Sequence, residues 1–545
     1  MDQILPESQV FQCYPLVRDA KLNTSRTKSI AILGTGSDVG KSLVTAGLCR
    51  LLHRAGVSVA PFKAQNMSLN SFVTPDGGEM GRAQVLQAHA CGLAPHVDMN
   101  PILLKPEADA KSQVIVQGKV WGSQQARDYF ERKSQLFEFV KGSYDRLSRQ
   151  YEVIVIEGAG SAAEMNLRDR DIVNWPVVEM ADAAVVLVAD IDRGGVFAQV
   201  IGTMDLLAPE ERRRVIGVVI NKFRGDLTLF EDGVKIIEER IGVPVLGVLP
   251  YLRNLELDQE DSVDIERFRM TPFEEGTVNI AVVLLPHMSN FTDFNQLAAE
   301  SDVALRYVAS SQELHGADAV VLPGSKTTIA DLEYLQKAGF DEALLTHVQR
   351  GGEIMGVCGG FQMLGKEITD PQHVETGGSS KGLGFLQVKT ELLAHKKTVQ
   401  VRARSLLESW GYECLVEGYE IHMGATKGAK SIPSCFRVLT GQADRSSEDS
   451  ETRVDGAMSL DGRVWGTYIH GVFDQPGFRR QWLNRVRGRK GLAPLEMEIS
   501  EVVSQRLSRA VDRWADHLEA HLDVYPIFSA LGLGGLFPDH LHKLK

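Results

Sequence analysis

Two stretches of this chain set reactive side chains among glycines. The first, SIAILGTGSDVGKS, runs an apolar segment into Gly34, Gly36 and Gly40, then Lys41 and Ser42. Glycines let backbone amides close around phosphate oxygens, and a helix opening there adds partial positive charge. Lys41 is placed to reach β- and γ-phosphates and the Ser42 hydroxyl to ligate Mg²⁺, so ATP and Mg²⁺ are the expected ligands. The strict GxxxxGK[ST] spacing is not met, because Thr35 stands where the first glycine belongs and Gly34 lies one residue early. The second stretch, EIMGVCGGFQMLG, places Cys358 between an apolar run and Gly359–Gly360, ahead of a helical pattern. Such a turn exposes the sulfur, and a helix N-terminus favours the nucleophilic thiolate. The Gly359 amide is positioned to donate to an oxyanion, with Gly324 in VLPGS as a second donor. A cysteine nucleophile needs a base, and His470 in VWGTYIHGVFD also follows an apolar run.

Taken singly, a buried core cysteine and a histidine at a strand end would be equally ordinary readings. Cys then His in one α/β segment, each at a strand end, favours catalysis. Cys49 and Cys91 lie within or at the end of helical patterns and read as structural.

These residues need elements to hold them. From Ser29 onward short apolar runs alternate with helical patterns: SIAILG, VSVAPF, YEVIVIEG, AAVVLVAD, VIGVVIN and VPVLGVLP. Strands alternating with helices predict a parallel α/β sheet. A charged stretch after Tyr251 reads as a linker, and a second α/β series opens at VNIAVVLLP. The expected division is an N-terminal extension (1–27), a P-loop α/β domain (28–250), a linker (251–276), a second α/β domain (277–485) and a C-terminal helical tail (486–545). The polar stretch 441–456 reads as a loop. The two histidines of the closing FPDHLHKLK read as inert rather than as a metal site.

The chain has 545 residues, too many for one core, with 43% hydrophobic and 24% charged residues. A net charge of −12 without a basic run argues against nucleic acid and anionic membranes as partners. No apolar stretch approaches the roughly 20 residues of a membrane span. Six scattered cysteines without a CxxC pair suit a reducing cytoplasm. Residues 1–27 lack an apolar core and read as a leader or docking segment rather than a signal peptide.

The variant loop GTGSDVGKS resembles the dethiobiotin synthetase-like branch of P-loop proteins, which use ATP to activate a carboxylate. That likeness places Glu157, at the end of YEVIVIEGAG, as an Mg²⁺-holding acid, and Asn221 and Lys222 in VVINKFRGD near the base. The second half resembles class I glutamine amidotransferases, in which a cysteine releases ammonia from glutamine. Their third catalytic member is a Glu two residues after the His, where this chain has Val472. Asp474, another acid, or a Cys–His dyad remain open.

The composite pattern resembles the cobyric acid synthase family. The segments that carry the likeness are KAQNMSLNS (63–71), GEMGRAQ (78–84), GSAAEMNLRDRDIVN (160–174), ADIDRGGVFA (189–198), LPHMSNFTDF (285–294), LPGSKTT (322–328) and GYEIHMG (418–424), spread over about residues 28 to 485. The resemblance implies ATP- and glutamine-dependent amidation of corrinoid carboxylates at positions b, d, e and g of adenosylcobyrinic acid a,c-diamide. Lys63, Glu79, Glu164, Asn166, Asp190 and Arg193 are candidates for metal, phosphate or corrinoid contact; Lys63 and Glu79 follow the second strand, on the edge expected to face the phosphates, which sets Lys63 at the activated carboxylate and Glu79 with Ser42 and Glu157 on Mg²⁺. The alternatives are the related cobyrinic acid a,c-diamide synthase and a ParA/MinD-like nucleotide switch with an inactive glutaminase. The second is disfavoured because Gly36 stands where such switches carry a second lysine.

Overall fold

The computed structural model describes residues 27–108, 111–125, 132–253, 255, 257, 268–269, 271–406, 414–429, 431–439, 453–496 and 503–536. Residues 1–26, most of the linker, most of the loop 441–456 and the closing FPDHLHKLK lie outside the described residues. No helix among the described residues is long and apolar enough to cross a membrane.

Six strands form the first sheet: β1 (Lys28–Gly34), β2 (Val59–Phe62), β3 (Val153–Glu157), β4 (Ala184–Asp190), β5 (Val215–Phe223) and β6 (Val245–Pro250). They are parallel, in the order β6-β5-β4-β1-β3-β2. Their runs are apolar without alternation because helices cover both faces, and Ile30, Ala31, Ile32 and Leu33 are fully buried. The strand ends therefore bring the Gly34–Gly40 turn, Lys63, Glu157, Asp190 and Asn221 to one edge, where ligands of such sheets bind.

Helix α1 (Lys41–Arg54) follows β1. Between β2 and β3 the chain departs from simple strand–helix alternation. Strand Ser71–Val73 pairs with Glu79–Gly81, α2 (Arg82–Ala90) follows, and Ile102–Ala108, Lys111–Val116 and Lys119–Gln125 build an antiparallel sheet that Gln65–Met67 joins.

The second sheet contains β7 (Val278–Val283), β8 (Val303–Val308), β9 (Ala319–Leu322) and β10 (Glu353–Val357). Past a long antiparallel hairpin, β11 (Val388–Ser405) and β12 (Leu415–Gly428), the chain returns as β13 (Val464–Thr467) and β14 (Ile469–His470). The parallel order is β8-β7-β9-β10-β13, with Ala457–Met458 antiparallel at the edge. Helix α3 (Gly359–Met363) leaves β10, and β14 pairs with β12.

The expected boundary at residue 485 falls inside helix α4 (Pro476–Lys490), whose Trp482, Leu483 and Val486 belong to the second core. The second domain thus runs past 485. The tail does form a packing helix, α5 (Val503–His521), but it docks back on the first domain. Trp514 Nε1 donates to the Leu43 carbonyl at 2.6 Å, and Asp512 pairs with Arg50 and Arg54 of α1. Gly47 lies beneath this contact, where a Cβ would fall 2.1 Å from a Leu518 methyl carbon.

Candidate functional site

At the first edge, Gly40 caps α1 at φ 98°, and a Cβ on it would lie 2.1 Å from Asn221 Nδ2. Backbone and packing both require glycine there. Lys41 Nζ donates to the carbonyls of Gly36 (2.8 Å) and Gly160 (3.0 Å), tying the turn to the loop that leaves β3. Asn221 donates to the Val39 carbonyl at 2.9 Å. Lys222 donates to the Asp38 carbonyl and pairs with Asp190 at 3.0 Å. Asn221, Lys222 and buried Asp190 therefore buttress the glycine turn from the neighbouring strands.

Glu157 is fully buried at the end of β3 and collects four donor side chains. Ser42 Oγ (2.7 Å) and Lys63 Nζ (2.8 Å) reach Oε1, while Gln84 (3.2 Å) and Gln87 (2.5 Å) reach Oε2. Burial alone would raise its pKa. The Lys63 ammonium and the hydrogen bonds from Lys63, Gln87 and Ser42 outweigh that and hold it below the usual carboxylate range. Beside them Gln87 Oε1 is buried without a hydrogen-bond partner. A hydroxyl, a carboxylate and an orphaned amide oxygen are hard donors of the kind Mg²⁺ takes alongside phosphate oxygens. Among the described residues no cluster of three or more His, Cys, Asp or Glu could cage a metal. An ion here would complete its shell from a nucleotide and water.

At the second site Cys358 has φ 50° and ψ −105°, a strained conformation for a residue with a side chain. The turn closes tightly because its neighbours are glycines: a Cβ on Gly360 would lie 2.0 Å from the Leu322 carbonyl oxygen. The Cys358 amide is pinned to the Thr467 carbonyl at 2.9 Å, and Sγ donates to the Ile421 carbonyl at 3.6 Å. His470 is buried, its ring stacked on Tyr419 at 5.2 Å between centroids, with Nδ1 donating to Asp293 Oδ2 at 2.6 Å. The other Asp293 oxygen accepts from the Gly471 amide at 3.2 Å. Nε2 has no hydrogen-bond partner within the described protein and is the nitrogen left to serve Cys358.

Burial alone would lower the His470 pKa. The Asp293 carboxylate, with a smaller contribution from Cys358, reverses this and raises it to about 10. A histidine held protonated beside a cysteine is placed to deliver a proton to a departing nitrogen. A Cβ on Gly359 would meet the Ser325 amide nitrogen at 2.8 Å, and one on Gly324 would lie 3.4 Å from His470 Cε1. The Gly324–Ser325 backbone therefore packs against Gly359 and borders the His470 ring.

A cavity of about 50 Å³ opens on Cys358, and its walls come from both domains: Asn290, Lys326, Gln362 and Lys396 from the second, Lys105 and Gln113 from the first. Ser71 N donates to Asn290 Oδ1 (3.0 Å), Phe291 N to Asn70 Oδ1 (3.1 Å) and Tyr419 Oη to the Ser71 carbonyl (3.2 Å). The segment KAQNMSLNS thus has Lys63 on Glu157 at one end and Asn70–Ser71 against the surroundings of His470 at the other.

Of the expected residues, Lys41, Ser42, Lys63 and Glu157 converge on one site, and Cys358, Gly359, Gly324 and His470 on the other. Glu79 does not join Ser42 and Glu157. The Ser71–Gly81 hairpin carries it toward the second domain, where its oxygens take Lys105 (2.8 Å) and Lys396. Burial would raise its pKa, but the two ammonium groups outweigh that and bring it to about 2. Glu164 and Asn166 are exposed on the loop after β3, and Arg193, also exposed, reaches Asp38 at 3.3 Å. No contact among the described residues ties these three to Glu157.

Asp293 is the acid that sequence reasoning left open. It lies 177 residues before His470, within the quoted segment LPHMSNFTDF, whereas Asp474 uses its amide on the Gly471 carbonyl. Gln84 and Gln87 were also missed, although Gln84 closes the quoted GEMGRAQ.

Residues 30–264 match the family described as CobQ/CobB/MinD/ParA nucleotide binding domain, and residues 279–478 the CobB/CobQ-like glutamine amidotransferase domain. The chain is 46% identical over 517 residues to a cobyric acid synthase of Syntrophobacter fumaroxidans, covering 93% of this chain and 99% of the relative. It is 48% identical over 511 residues to that of Klebsiella pneumoniae strain 342 (93% and 98%), and 47% over 505 residues to that of Streptococcus sanguinis (92% and 99%).

Proposed function

The chain belongs to the cobyric acid synthase family, glutamine amidotransferase ligases with a nucleotide-binding domain, and from that premise we propose the reaction that its two sites perform. Side-chain carboxylates b, d, e and g of adenosylcobyrinic acid a,c-diamide become amides, with ATP as activator and glutamine as nitrogen donor. The observation that carries this reading is a Cys358–His470–Asp293 constellation whose cavity is walled in part by the domain that holds Ser42, Lys63 and Glu157.

In the glutaminase half, Cys358 Sγ attacks the side-chain carbonyl of glutamine. The amide of Gly359 and the Gly324–Ser325 backbone stabilise the oxyanion. His470 passes a proton to the departing nitrogen, and ammonia leaves a thioester on Cys358. Water, deprotonated by His470, then releases glutamate. Asp293 keeps the imidazole oriented through these steps and stabilises it whenever it carries the proton.

In the synthetase half, the γ-phosphate of ATP is transferred to a corrinoid carboxylate, and ammonia displaces phosphate from the resulting acyl phosphate. Amides of the Gly34–Gly40 turn, with Thr35 and Gly36, cradle the phosphates, and Lys41 and Lys63 offset their charge. Asn221 and Lys222 hold that cradle from below and lie on the side of the base. Ser42 and Glu157 are the residues that would hold Mg²⁺, which supplies charge neutralisation to the β- and γ-phosphates. Asp190, Glu164, Asn166 and Arg193 border this edge and are the side chains available to the corrin periphery.

The test is to incubate the protein with adenosylcobyrinic acid a,c-diamide, Mg-ATP and glutamine and follow the corrinoid mass. The expected product carries new amides at b, d, e and g. No change with the diamide, but amidation of cobyrinic acid at a and c, would move the assignment to the a,c-diamide synthase. Hydrolysis of ATP with no change in either corrinoid would overturn the reading.

A further inference from the structure

The oxyanion proposed at Cys358 forms beside Gly324–Ser325, a strand of only two residues. It pairs antiparallel with Met288–Ser289, and the Lys326 amide donates to the His287 carbonyl at 3.0 Å. So short a pair of strands is marginal on its own, and the side chains around it decide how firmly it is held.

Those side chains converge on Asp331. It lies on the helix Thr328–Lys337 and is fully buried. Its Oδ2 accepts from Ser325 Oγ at 2.6 Å and from the His287 amide at 3.2 Å, while Oδ1 meets His287 Nδ1 at 2.8 Å. Ser325 Oγ in turn accepts from the Thr327 amide at 3.1 Å. Burial pushes the Asp331 carboxyl up, and the bonds from Ser325 and His287 offset this in part. A buried carboxylate is unfavourable unless donors surround it, and these three donors come from the two paired segments. One side chain therefore ties both short strands to the helix.

Ser325, His287 and Asp331 are not a second nucleophilic triad. The serine and the imidazole both spend a hydrogen on the same carboxylate, so the imidazole is not the base of that hydroxyl. The cluster instead reaches the surroundings of Cys358. A Cβ on Gly359 would fall 2.8 Å from the Ser325 amide nitrogen and 3.1 Å from its Cβ, and one on Gly324 would fall 3.4 Å from His470 Cε1. A shift of Ser325 would thus be felt at both Gly324 and Gly359.

Resting on the proposed glutaminase reaction, we propose that Asp331 is a positioning residue for it. Through Ser325 and His287 it fixes the Gly324–Ser325 backbone at the oxyanion, acting directly on neither Cys358 nor His470. The experiment compares wild type with Asp331→Asn in the full chain. It measures kcat and KM for glutamate release from glutamine, alkylation of Cys358 by iodoacetamide read by mass, and amidation from ammonium chloride.

In Asp331→Asn, kcat is expected to fall about tenfold or more, with KM within about threefold of wild type. Alkylation, which forms no oxyanion, and ammonia-supported amidation should both stay within about twofold. Ser325→Ala cuts one arm and should lower kcat by a smaller factor, again without slowing alkylation. It also decides the question if Asp331→Asn does not fold. The Ser325→Ala/Asp331→Asn double variant should lose no more than Asp331→Asn alone, because the hydroxyl acts through the carboxylate. An unchanged kcat would overturn the proposal, as would losses that multiply in the double variant. So would alkylation that falls in parallel with kcat, which would put the defect at the Cys–His pair or in the fold. Wild type that releases no glutamate from glutamine would instead strike the proposed function itself.

Discussion

At the nucleotide edge, every side chain that donates to Glu157 comes from residues 42 to 87, all in the first domain. Around Cys358 the construction is different. The base stands on β14 and its acid lies 177 residues earlier, while the cavity wall is partly borrowed from the other domain. The first site can be complete within its own fold. The second depends on the domain boundary for its shape, through Asn70 and Ser71 against Asn290, Phe291 and Tyr419. The glutaminase site thus meets the first domain through a few hydrogen bonds at the boundary.

The largest expected effect breaks the two sites apart. Cys358→Ala should abolish glutamine-supported amidation and leave ammonia-supported amidation near wild type, as read by corrinoid mass. Next, Asp293→Asn should lower the glutaminase kcat on the order of 10²–10⁴-fold. Asp293 outweighs burial in holding His470 near 10. Its neutral replacement should therefore draw the alkaline limb of kcat/KM to lower pH, while Asp474→Asn leaves the limb in place. A limb that moves with Asp474 instead would transfer the orienting role to that residue.

Glu157→Gln should reverse the asymmetry of Cys358→Ala. Amidation from either nitrogen donor is expected to fall on the order of 10²–10³-fold, with glutamine hydrolysis changed only a few-fold. Leu518→Ala, in the tail helix on α1, should cost about 2–5 kcal/mol in denaturant unfolding without moving the glutaminase pH profile.

The smallest effect concerns acid. The Glu79 carboxyl is held at about 2 rather than the ordinary 4.5. Because the folded value is depressed, its contribution to stability is present above about 4.5 and lost as pH falls through about 2. Lys396→Met removes one of the two charges that depress it, so acid unfolding followed by tryptophan fluorescence should begin at higher pH.

Much of the first domain is legible in the sequence because a fully buried parallel strand reads as an unbroken apolar run. The Gly34–Ser42 turn and Cys358 are legible for a related reason, since both are local devices of glycine and one reactive side chain. The hairpin β11–β12 escaped because it alternates: in VKTELLAHKKTVQVRARS inward valines and leucines are separated by charges, and the eye reads polar surface. Asp293 escaped because nothing local marks it. Its partner is chosen by the packing of the second domain, and Val472 removes the familiar signal. Glu79 was placed with the phosphates since it follows the second strand, yet a hairpin lies between and carries it to the domain boundary. Sequence proximity to a site predicts contact only where the intervening backbone is short.

The central claim is that two sites in one chain exchange ammonia internally. It is tested most directly by supplying glutamine labelled with ¹⁵N in its amide together with an excess of unlabelled ammonium, then measuring the isotope in the corrinoid amides. The account predicts that nearly every new amide carries ¹⁵N despite the excess in solution. Dilution of the label to the proportion in the medium would show that ammonia leaves the protein before it reacts, and would contradict it.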